Sequence, residues 1–460
     1  MSVFEEVRAK HLAAVREFTP EAVERLGWSR DRVIEEQTLG LRRVVMEAQE
    51  GSRFFGEQLG GLEASTLELS DLVKIPPLTK TLVMENWDDL VTDPALKLED
   101  VVSHLERLHR GEGENPYLLE KYYAAATGGT SGKRGVYLWD WETFVVTANI
   151  TYRMEVQKDL AEPPTGPKRT VVICAGSYAH GSRFLFPTSL DLEREVKVLP
   201  ANLSLERIVE EMNAYQPDRL VGYASIVQEL CALALDGELR ISLNRIMTNS
   251  EPLYPEARDM AKEAWGIDIH NSWGSVEIGL AGMEGESFGG LSLAEDFLIF
   301  EPVDADDQPV DDPTSADRVL VTKLFGTVMP MIRYEMTDTM VFDLGENPDA
   351  PGCRRVTEIK GRADNWFVYG DKLKIHPMIF RGVLGQDRHI SEYQVQQTER
   401  GARVLAIAHG EFDPEWACSA LRKVLQEAGL VEAEVTVETV ADLPRHAQTN
   451  KLKRFVPLEG

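Results

Sequence analysis

From Arg169 onward the chain alternates short apolar runs with amphipathic stretches, and this alternation restricts its fold more than any other feature. Thr170-Val171-Val172-Ile173-Cys174-Ala175-Gly176 is a β-branched run closed by glycine. Ser204 to Tyr215 sets Leu205, Ile208, Val209 and Met212 on one helical face, and Asp218 to Tyr223 and Arg245 to Asn249 are further short runs. Strand, helix, strand, helix predicts a mostly parallel sheet with helices on both faces. Ahead of this region the first hundred residues or so read as helices, with a stretch from Asp31 to Leu59 ended by Gly60-Gly61 and then a loop, Lys74 to Lys80. An acidic, proline-containing segment between Asp304 and Asp317 predicts a hairpin loop. From about Trp366 a separate strand-helix-strand pattern runs through Arg403 to Ala408, Glu415 to Ala428 and Ala433 to Val440. The expected class is therefore α/β: a large N-terminal domain with mostly parallel sheets flanked by helices, then a small α+β domain.

Composition limits the partners. At 460 residues the chain exceeds what one core usually holds, so roughly two to four domains are expected. With 76 acidic against 49 basic residues the net charge is -27, which repels nucleic acid and anionic membrane surfaces. A polyphosphate ligand is repelled as well, unless cations are concentrated at one site. Cys174, Cys231, Cys353 and Cys418 are far apart and have no nearby His pairs, so neither a zinc site nor a disulfide framework is expected. Met1 to Arg30 is charged and helical in pattern, with no apolar run long enough for a signal or a span, so cytoplasmic residence is expected.

Ala126 to Gly135 reads Ala-Thr-Gly-Gly-Thr-Ser-Gly-Lys-Arg-Gly: four glycines, three hydroxyls and two cations in ten residues. Glycines let backbone N–H groups turn toward an anion, and hydroxyls with a lysine add side-chain donors. A surface turn has the same composition, so the loop alone leaves both readings open. It is not the P-loop Gly-x-x-x-x-Gly-Lys-Ser/Thr, because Thr127 stands five before Gly132 and Arg134 follows Lys133.

Four further segments carry chemistry. Asn271-Ser272-Trp273-Gly274-Ser275-Val276-Glu277 offers an aromatic face, close backbone approach and a carboxylate suited to Mg²⁺; it also reads as a strand end with a core tryptophan. In Pro330-Met331-Ile332-Arg333-Tyr334-Glu335-Met336-Thr337-Asp338, Asp338 could accept both ribose hydroxyls or sit in a salt-bridged turn. Ile359-Lys360-Gly361-Arg362-Ala363-Asp364-Asn365 falls at the expected domain boundary and also reads as a charged linker. Gln448 to Arg454 contains Lys451 and Lys453 and also reads as a basic tail.

Taken in order, these segments resemble the adenylate-forming superfamily of acyl-CoA synthetases, adenylation domains and luciferases, most of all its phenylacetate-CoA ligase branch. The likeness runs from about Gly51 to Val456 and includes Lys74 to Lys80 (KIPPLTK), Gln216-Pro217-Asp218 with Val221 to Ser225, and Pro330 to Tyr334 (PMIRY). It implies ATP-dependent activation of a carboxylic acid to an acyl-adenylate with release of pyrophosphate, then thioester formation with coenzyme A. Delivery of the acyl group to an amine or carrier-protein thiol is the alternative, and a non-catalytic acyl-nucleotide binder a third class. The cofactor set would be ATP, Mg²⁺ and CoA, and a homodimer is left open as the assembly.

By the same resemblance Thr127, Gly128, Gly129, Thr130, Ser131, Gly132 and Lys133 wrap the β- and γ-phosphates. Trp273 lies against adenine, Ser275 near the α-phosphate, and Glu277 on Mg²⁺, with Asn271, Ser272, Gly274, Ser250 and Glu251 completing the nucleotide contacts. Asp338 and Arg362 hold the ribose. Lys451 reaches the α-phosphate and carboxylate from the small domain, and Lys453 is the runner-up because Asn450 replaces the usual preceding glycine. The resemblance divides the chain into residues 1–363 and a mobile domain 364–460, hinged at Asp364, with Gly370 lining a CoA tunnel. It places the acid pocket at Tyr178, His180, Gly181, Tyr223, Ala281 and Gly282, where tyrosines and small residues suit an aryl or arylacetic acid. Three departures stand out: Lys133-Arg134-Gly135 lacks the usual Pro-Lys-Gly ending, Trp273 replaces a tyrosine, and Asn450 replaces a glycine.

Overall fold

The computed structural model describes residues 2–110, 115–126, 135–163, 169–189, 195–201, 203–336, 338–362, 367–370, 373–375, 378–384, 389–408, 410, 412–445 and 452–458. Its N-terminal part is helical. Val3–Glu24 starts from Ser2 in a reciprocal capping box with Glu5, and Arg30–Gly51 starts from Ser29. The single helix expected over Asp31 to Leu59 divides at Ser52 into Arg30–Gly51 and Arg53–Leu59. Ser52 is extended there: its hydroxyl caps Phe55 N–H at 3.2 Å and donates to Asp89 O at 3.0 Å. A side-chain cap thus outweighs a helical periodicity that continues through it.

A nine-stranded sheet forms the centre. Glu195–Pro200, Arg169–Cys174, Arg219–Tyr223, Arg245–Asn249 and Ile269–Ser275 lie side by side and parallel. Beyond them Gly279–Met283, Leu291–Leu293, Arg355–Arg362 and Asp338–Asp343 continue it antiparallel. The parallel half is the one the sequence rhythm predicts, since each parallel connection requires a crossover. Leu205–Tyr215, Ala224–Leu235 and Pro255–Trp265 supply three of these crossovers, Gly181–Ser189 lies in the fourth, and Ser204 caps Leu205–Tyr215. Strand alternation divides the interior between two faces. Val171 and Ile173 enter the core beneath the crossover helices, whereas Val172 and Cys174 enter the core shared with the N-terminal helices.

Two smaller sheets complete the part that positions the site. Leu298–Val303 and Arg318–Lys323 form the expected hairpin, to which Tyr334–Met336 adds a third strand. Tyr122–Ala126 and Val136–Trp139 pair antiparallel, with Ala126 opposite Val136 as the last pair before the Gly-rich loop. Toward the C-terminus Glu434–Thr439, Gly401–Ala408, Ile390–Thr398 and Phe455–Val456 make a four-stranded sheet. With the helix Pro414–Glu427 it encloses its own core, including Phe367, Phe380, Val395, Leu421 and Leu425. Among the described residues no helix is long and apolar enough to cross a membrane.

Two buried histidines couple this fold to pH. His11 stacks on Phe144 and bonds the Tyr117 hydroxyl through Nδ1 at 2.6 Å, and burial lowers its pKa from 6.5 to about 3. Burial, then the charge of Arg245, lowers that of His270 to about 4. Both are neutral in the folded chain and gain a proton on unfolding below pH 6.5, so their contribution is complete above that value and is lost as pH falls toward about 4. The urea midpoint should therefore drop between pH 6.5 and 4, and His11→Asn, although destabilising near neutrality, should make that drop shallower. An unchanged slope would remove His11 from the account.

Candidate active site

In an open parallel sheet, ligands bind beyond the carboxyl ends of the strands, where the strand order reverses. Here the reversal lies at Arg169–Cys174, with the following strand Glu195–Pro200 on one side and Arg219–Tyr223 on the other. The segments leaving this edge are Ser177 to Gly181, Tyr223 to Ser225, Ser250-Glu251 and Ser275 to Glu277. Ser182 Oγ meets Tyr223 Oη at 2.9 Å across the reversal. Tyr178 is half-buried, with the Arg183 guanidinium 4.8 Å from its ring centre, and His180 is buried. Ala281 and Gly282 lie one strand further on. Gly282 sits opposite Trp273, and a Cβ there would touch Leu291 and Leu293.

Residues Thr127 to Lys133 lie outside the described residues, but both roots of their loop are defined. Ala126 N–H donates to Ala179 O at 3.2 Å, and Tyr123 Oη donates to Tyr178 O at 2.8 Å, so one root is tied to the segment carrying Tyr178 and His180. At the other root, a Cβ on Gly135 would lie 2.6 Å from the Tyr137 ring and 3.0 Å from Lys80 Cε. Only glycine fits this approach.

Glu277 is buried at 9 % exposure. The Tyr334 hydroxyl donates to its Oε1 at 3.5 Å, and Tyr137 Oη lies 3.2 Å from Tyr334 Oη. Burial, then the Glu277 charge, pushes the Tyr137 phenol far above its ordinary range, so it remains a donor. On the facing side, Trp139 Nε1 donates to Val276 O at 2.7 Å, and the nearest atom to a Cβ on Gly181 would be Val276 Cγ2, at 3.7 Å. Ser275 Oγ is buried and has no hydrogen-bond partner among the described residues. Trp273 is 9 % exposed and its ring lies 6.3 Å from that of Phe300, so most of the indole belongs to the core. Asn271 Oδ1 accepts from Thr248 Oγ1 at 3.1 Å, and Ser272 Oγ donates to Thr248 O at 2.8 Å, both fixing adjacent parallel strands. Gly274 lies where strand register shifts against Gly279–Met283.

Tyr334 is placed by its neighbour. Arg333 has φ +49°, a left-handed backbone that costs a non-glycine residue about 1–3 kcal/mol. Its Nε pairs with Glu301 Oε1 at 3.1 Å, Nη1 donates to Ile75 O at 2.7 Å, Nη2 to Asp307 O at 3.0 Å, and its N–H to Thr322 Oγ1 at 2.9 Å. Leu78 N–H donates to Arg333 O and Glu335 N–H to Leu78 O, both at 3.0 Å. The KIPPLTK and PMIRY segments are therefore partners in space. Burial, opposed by Arg333, raises the Glu301 carboxyl to about 7.

Asp338 and Arg362 stand directly opposite each other in the antiparallel register, although the Arg362 side chain is outside the described residues. Asp364 and Lys451 also lie outside them. Lys453 is described, and its carbonyl accepts from Gln394 Nε2 at 3.0 Å. Gly370 has φ +55°, and no atom of the described residues lies within 4 Å of where a Cβ would be. Ser250, also left-handed at φ +65°, donates to Asn249 Oδ1 at 2.9 Å. Glu251 spends both oxygens on backbone amides, Ser225 N–H at 2.9 Å and Leu452 N–H at 3.1 Å. Tyr137, Arg333, Ser225 and Arg445 are participants that the motif reading did not single out. The PMIRY text contained Arg333 and Tyr334, but nothing local showed what they touch.

No family model matches the chain. Among curated proteins, CapK of Staphylococcus aureus is 21 % identical over 312 residues, covering 64 % of this chain and 59 % of CapK, so the chain spans about three-fifths of that relative. A crystal structure of 2-hydroxyisobutyryl-CoA ligase, in the postadenylation state in complex with R3-HIB-AMP, matches with a TM-score of 0.69 at 17 % identity, over 94 % of this chain and 90 % of that one. The same ligase in the thioesterification state with 2-HIB-AMP and CoA gives 0.60 at 19 % identity, over 94 % and 91 %. At such identities the shared property is the fold, which this chain has in common with 2-hydroxyisobutyryl-CoA ligase.

Replacing Arg333 strands the buried Glu301 and releases the strained turn. Arg333→Ala should cost about 3–5 kcal/mol in urea unfolding. A loss below about 1 kcal/mol, the scale of an exposed pair, would show that the interaction is not a structural joint.

Proposed function

We propose that the protein is an AMP-forming acid–thiol ligase. A carboxylate oxygen attacks the α-phosphorus of ATP, the bond to the β-phosphate oxygen breaks, and pyrophosphate leaves. The CoA thiolate then attacks the carbonyl carbon, and AMP departs as the thioester forms. The observation that supports this reading most is the meeting, at one sheet edge, of the Gly-rich loop's root, Ser177 to Gly181 and the segment Ser275 to Glu277 with its buried carboxylate. The neighbouring fold has been captured with acyl-AMP and with CoA.

In this reading Thr127 to Lys133 hold the β- and γ-phosphates, and the orphaned Ser275 hydroxyl meets the α-phosphate. Asp338 and Arg362, opposite in register, hold the ribose. One buried carboxylate with protonated phenols behind it suits Mg²⁺, which keeps few protein ligands and takes the rest from phosphate and water. Bound at Glu277, the ion would offset triphosphate charge, while Tyr334 and Tyr137 keep the carboxylate oriented. Lys451 brings the α-phosphate and the carboxylate into line. Residues 1–363 and 364–460 are the two domains, turning at Asp364, with Gly370 beside the CoA entry. Tyr178, His180, Gly181, Tyr223, Ala281 and Gly282 are the side taken to receive the acid, an aryl or arylacetic one, and the cytoplasm is the expected compartment.

Incubation with ATP, Mg²⁺ and a panel of acids, with and without CoA, tests this directly. An arylacetic or aryl acid should give AMP, pyrophosphate and a CoA-dependent thioester. Pyrophosphate release with no thioester for any acid would favour the amine or carrier-protein acceptor. Lys451→Ala should lower adenylation by at least about a hundredfold, as expected when aligned reactants are lost, with ATP binding retained. Loss with Lys453→Ala instead would reassign the lysine.

A further inference from the structure

Arg153, Arg219 and Arg333 are buried, and each pairs with a carboxylate: Asp296, Glu155 and Glu301. With 76 acidic residues against 49 basic ones, the chain has carboxylates to spare for such pairs. Arg183 differs. It is half-buried on the helix Gly181–Ser189, which follows the strand at the sheet's reversal, and among the described residues it pairs with no carboxylate.

Its surroundings do not balance its charge. The guanidinium stands over the Tyr178 ring, 4.8 Å from the centre, and its Nε is shut off from solvent with no hydrogen-bond partner among the described residues. Beside it lies the Cys174 thiol, which burial raises to about 11 against the opposing charge of Arg183. That sulfur is a neutral thiol near pH 7 and supplies no anion. The carboxylates at this edge are committed elsewhere, Glu251 to two backbone amides and Glu277 to the Tyr334 hydroxyl. An aromatic face offsets part of a cation's desolvation, but a half-buried guanidinium with an unmet donor is costly until an anion completes it.

Placement says which part of a ligand would do so. Gly181 and Arg183 stand two apart on one helix, about 200° around its axis, and so face apart. Gly181 approaches Val276, beside Glu277, whereas Arg183 turns to Tyr178 and Cys174. The cation therefore lies among the residues taken to receive the acid and faces away from the carboxylate assigned to Mg²⁺. Tyr178 is itself enclosed, with Phe4 edge-on at 5.8 Å and the guanidinium over a face of the ring. This side thus presents a ligand with a cation and the paired Ser182 and Tyr223 hydroxyls, 2.9 Å apart.

We propose that Arg183 selects the acid: it pairs with a second carboxylate on the molecule whose other carboxylate is adenylated. This inference rests on the ligase reading above and narrows its substrate class, from aryl or arylacetic acids at large to acids that carry a further carboxylate at the far end. Arg183 would touch the substrate but not the reacting atoms, and its planar fork suits both oxygens of a carboxylate.

Matched acids separate charge from size: para-carboxyphenylacetic acid against its para-carboxamide, and glutaric acid against its monoamide. Measured as pyrophosphate release, kcat/KM of the wild type should favour the diacid of at least one pair by about tenfold or more, the scale of a hydrogen bond to a charged group. Arg183→Gln should remove that preference by lowering the rate for the diacid, and Arg183→Lys should keep part of it. A wild type that turns over the amides as fast as the diacids, or an Arg183→Gln enzyme that keeps the preference, would overturn the proposal. Calorimetric titration of the same diacids reads the pairing without turnover. An affinity at least about tenfold weaker in folded Arg183→Gln supports it; equal affinities, or no binding of either diacid to the wild type, refute it. Arg183-dependent binding of a diacid by a wild type that releases no pyrophosphate with any acid would count against the ligase reading and leave the pairing in place.

Discussion

Arg333 carries a positive charge and a left-handed backbone into the interior, and each of its bonds ties down a different part of the molecule. Glu301 holds its guanidinium from the strand Leu298–Val303, Ile75 and Asp307 receive its outer nitrogens, and Thr322 takes its amide. A buried ion pair gains little over a well-packed apolar pair, so its value here is specificity of arrangement. The arrangement sets Tyr334 on Glu277 and Leu78 on Arg333, so the buried carboxylate of the candidate site is oriented through a chain of groups that begins at Arg333.

Charge poses the second constraint. For a chain of net charge -27 to handle triphosphate, as proposed here, it must confine its cations locally. Much of its arginine is already spent on internal carboxylates: Arg153 on Asp296, Arg354 on Glu295 and Arg445 between Glu229 and Glu392. In the proposed reading the Gly-rich loop with Lys133 and Arg134, together with Arg362 and Lys451, supplies the cations that meet the triphosphate.

Local pattern revealed the elements whose formation is locally determined. Arg245 to Asn249 is a strand with the expected bounds, Ser204 caps its helix, and the turn region between Asp304 and Asp317 closes a hairpin. The antiparallel half of the sheet was not legible, because strands such as Leu291–Leu293 are three residues long and wholly buried, and carry no alternation to read. Ser52 broke a helix that periodicity carried through. Within the site, motif order pointed to Glu277 and Asp338, but the contacts that orient them join distant parts of the chain. Tyr137 meets Tyr334 across 197 positions, and Arg445 meets Ser225 across 220. No window of sequence contains such pairs; only the register and packing of the folded chain bring them together.

The central claim is that a carboxylate oxygen becomes bonded to the α-phosphorus. Labelling the acid's carboxylate with heavy oxygen and recovering the products by mass spectrometry tests this most directly. Attack on the α-phosphorus followed by thiol capture leaves one labelled oxygen in AMP and none in pyrophosphate. Label in orthophosphate, accompanied by ADP, would mean that an acyl phosphate had formed, and would contradict the account.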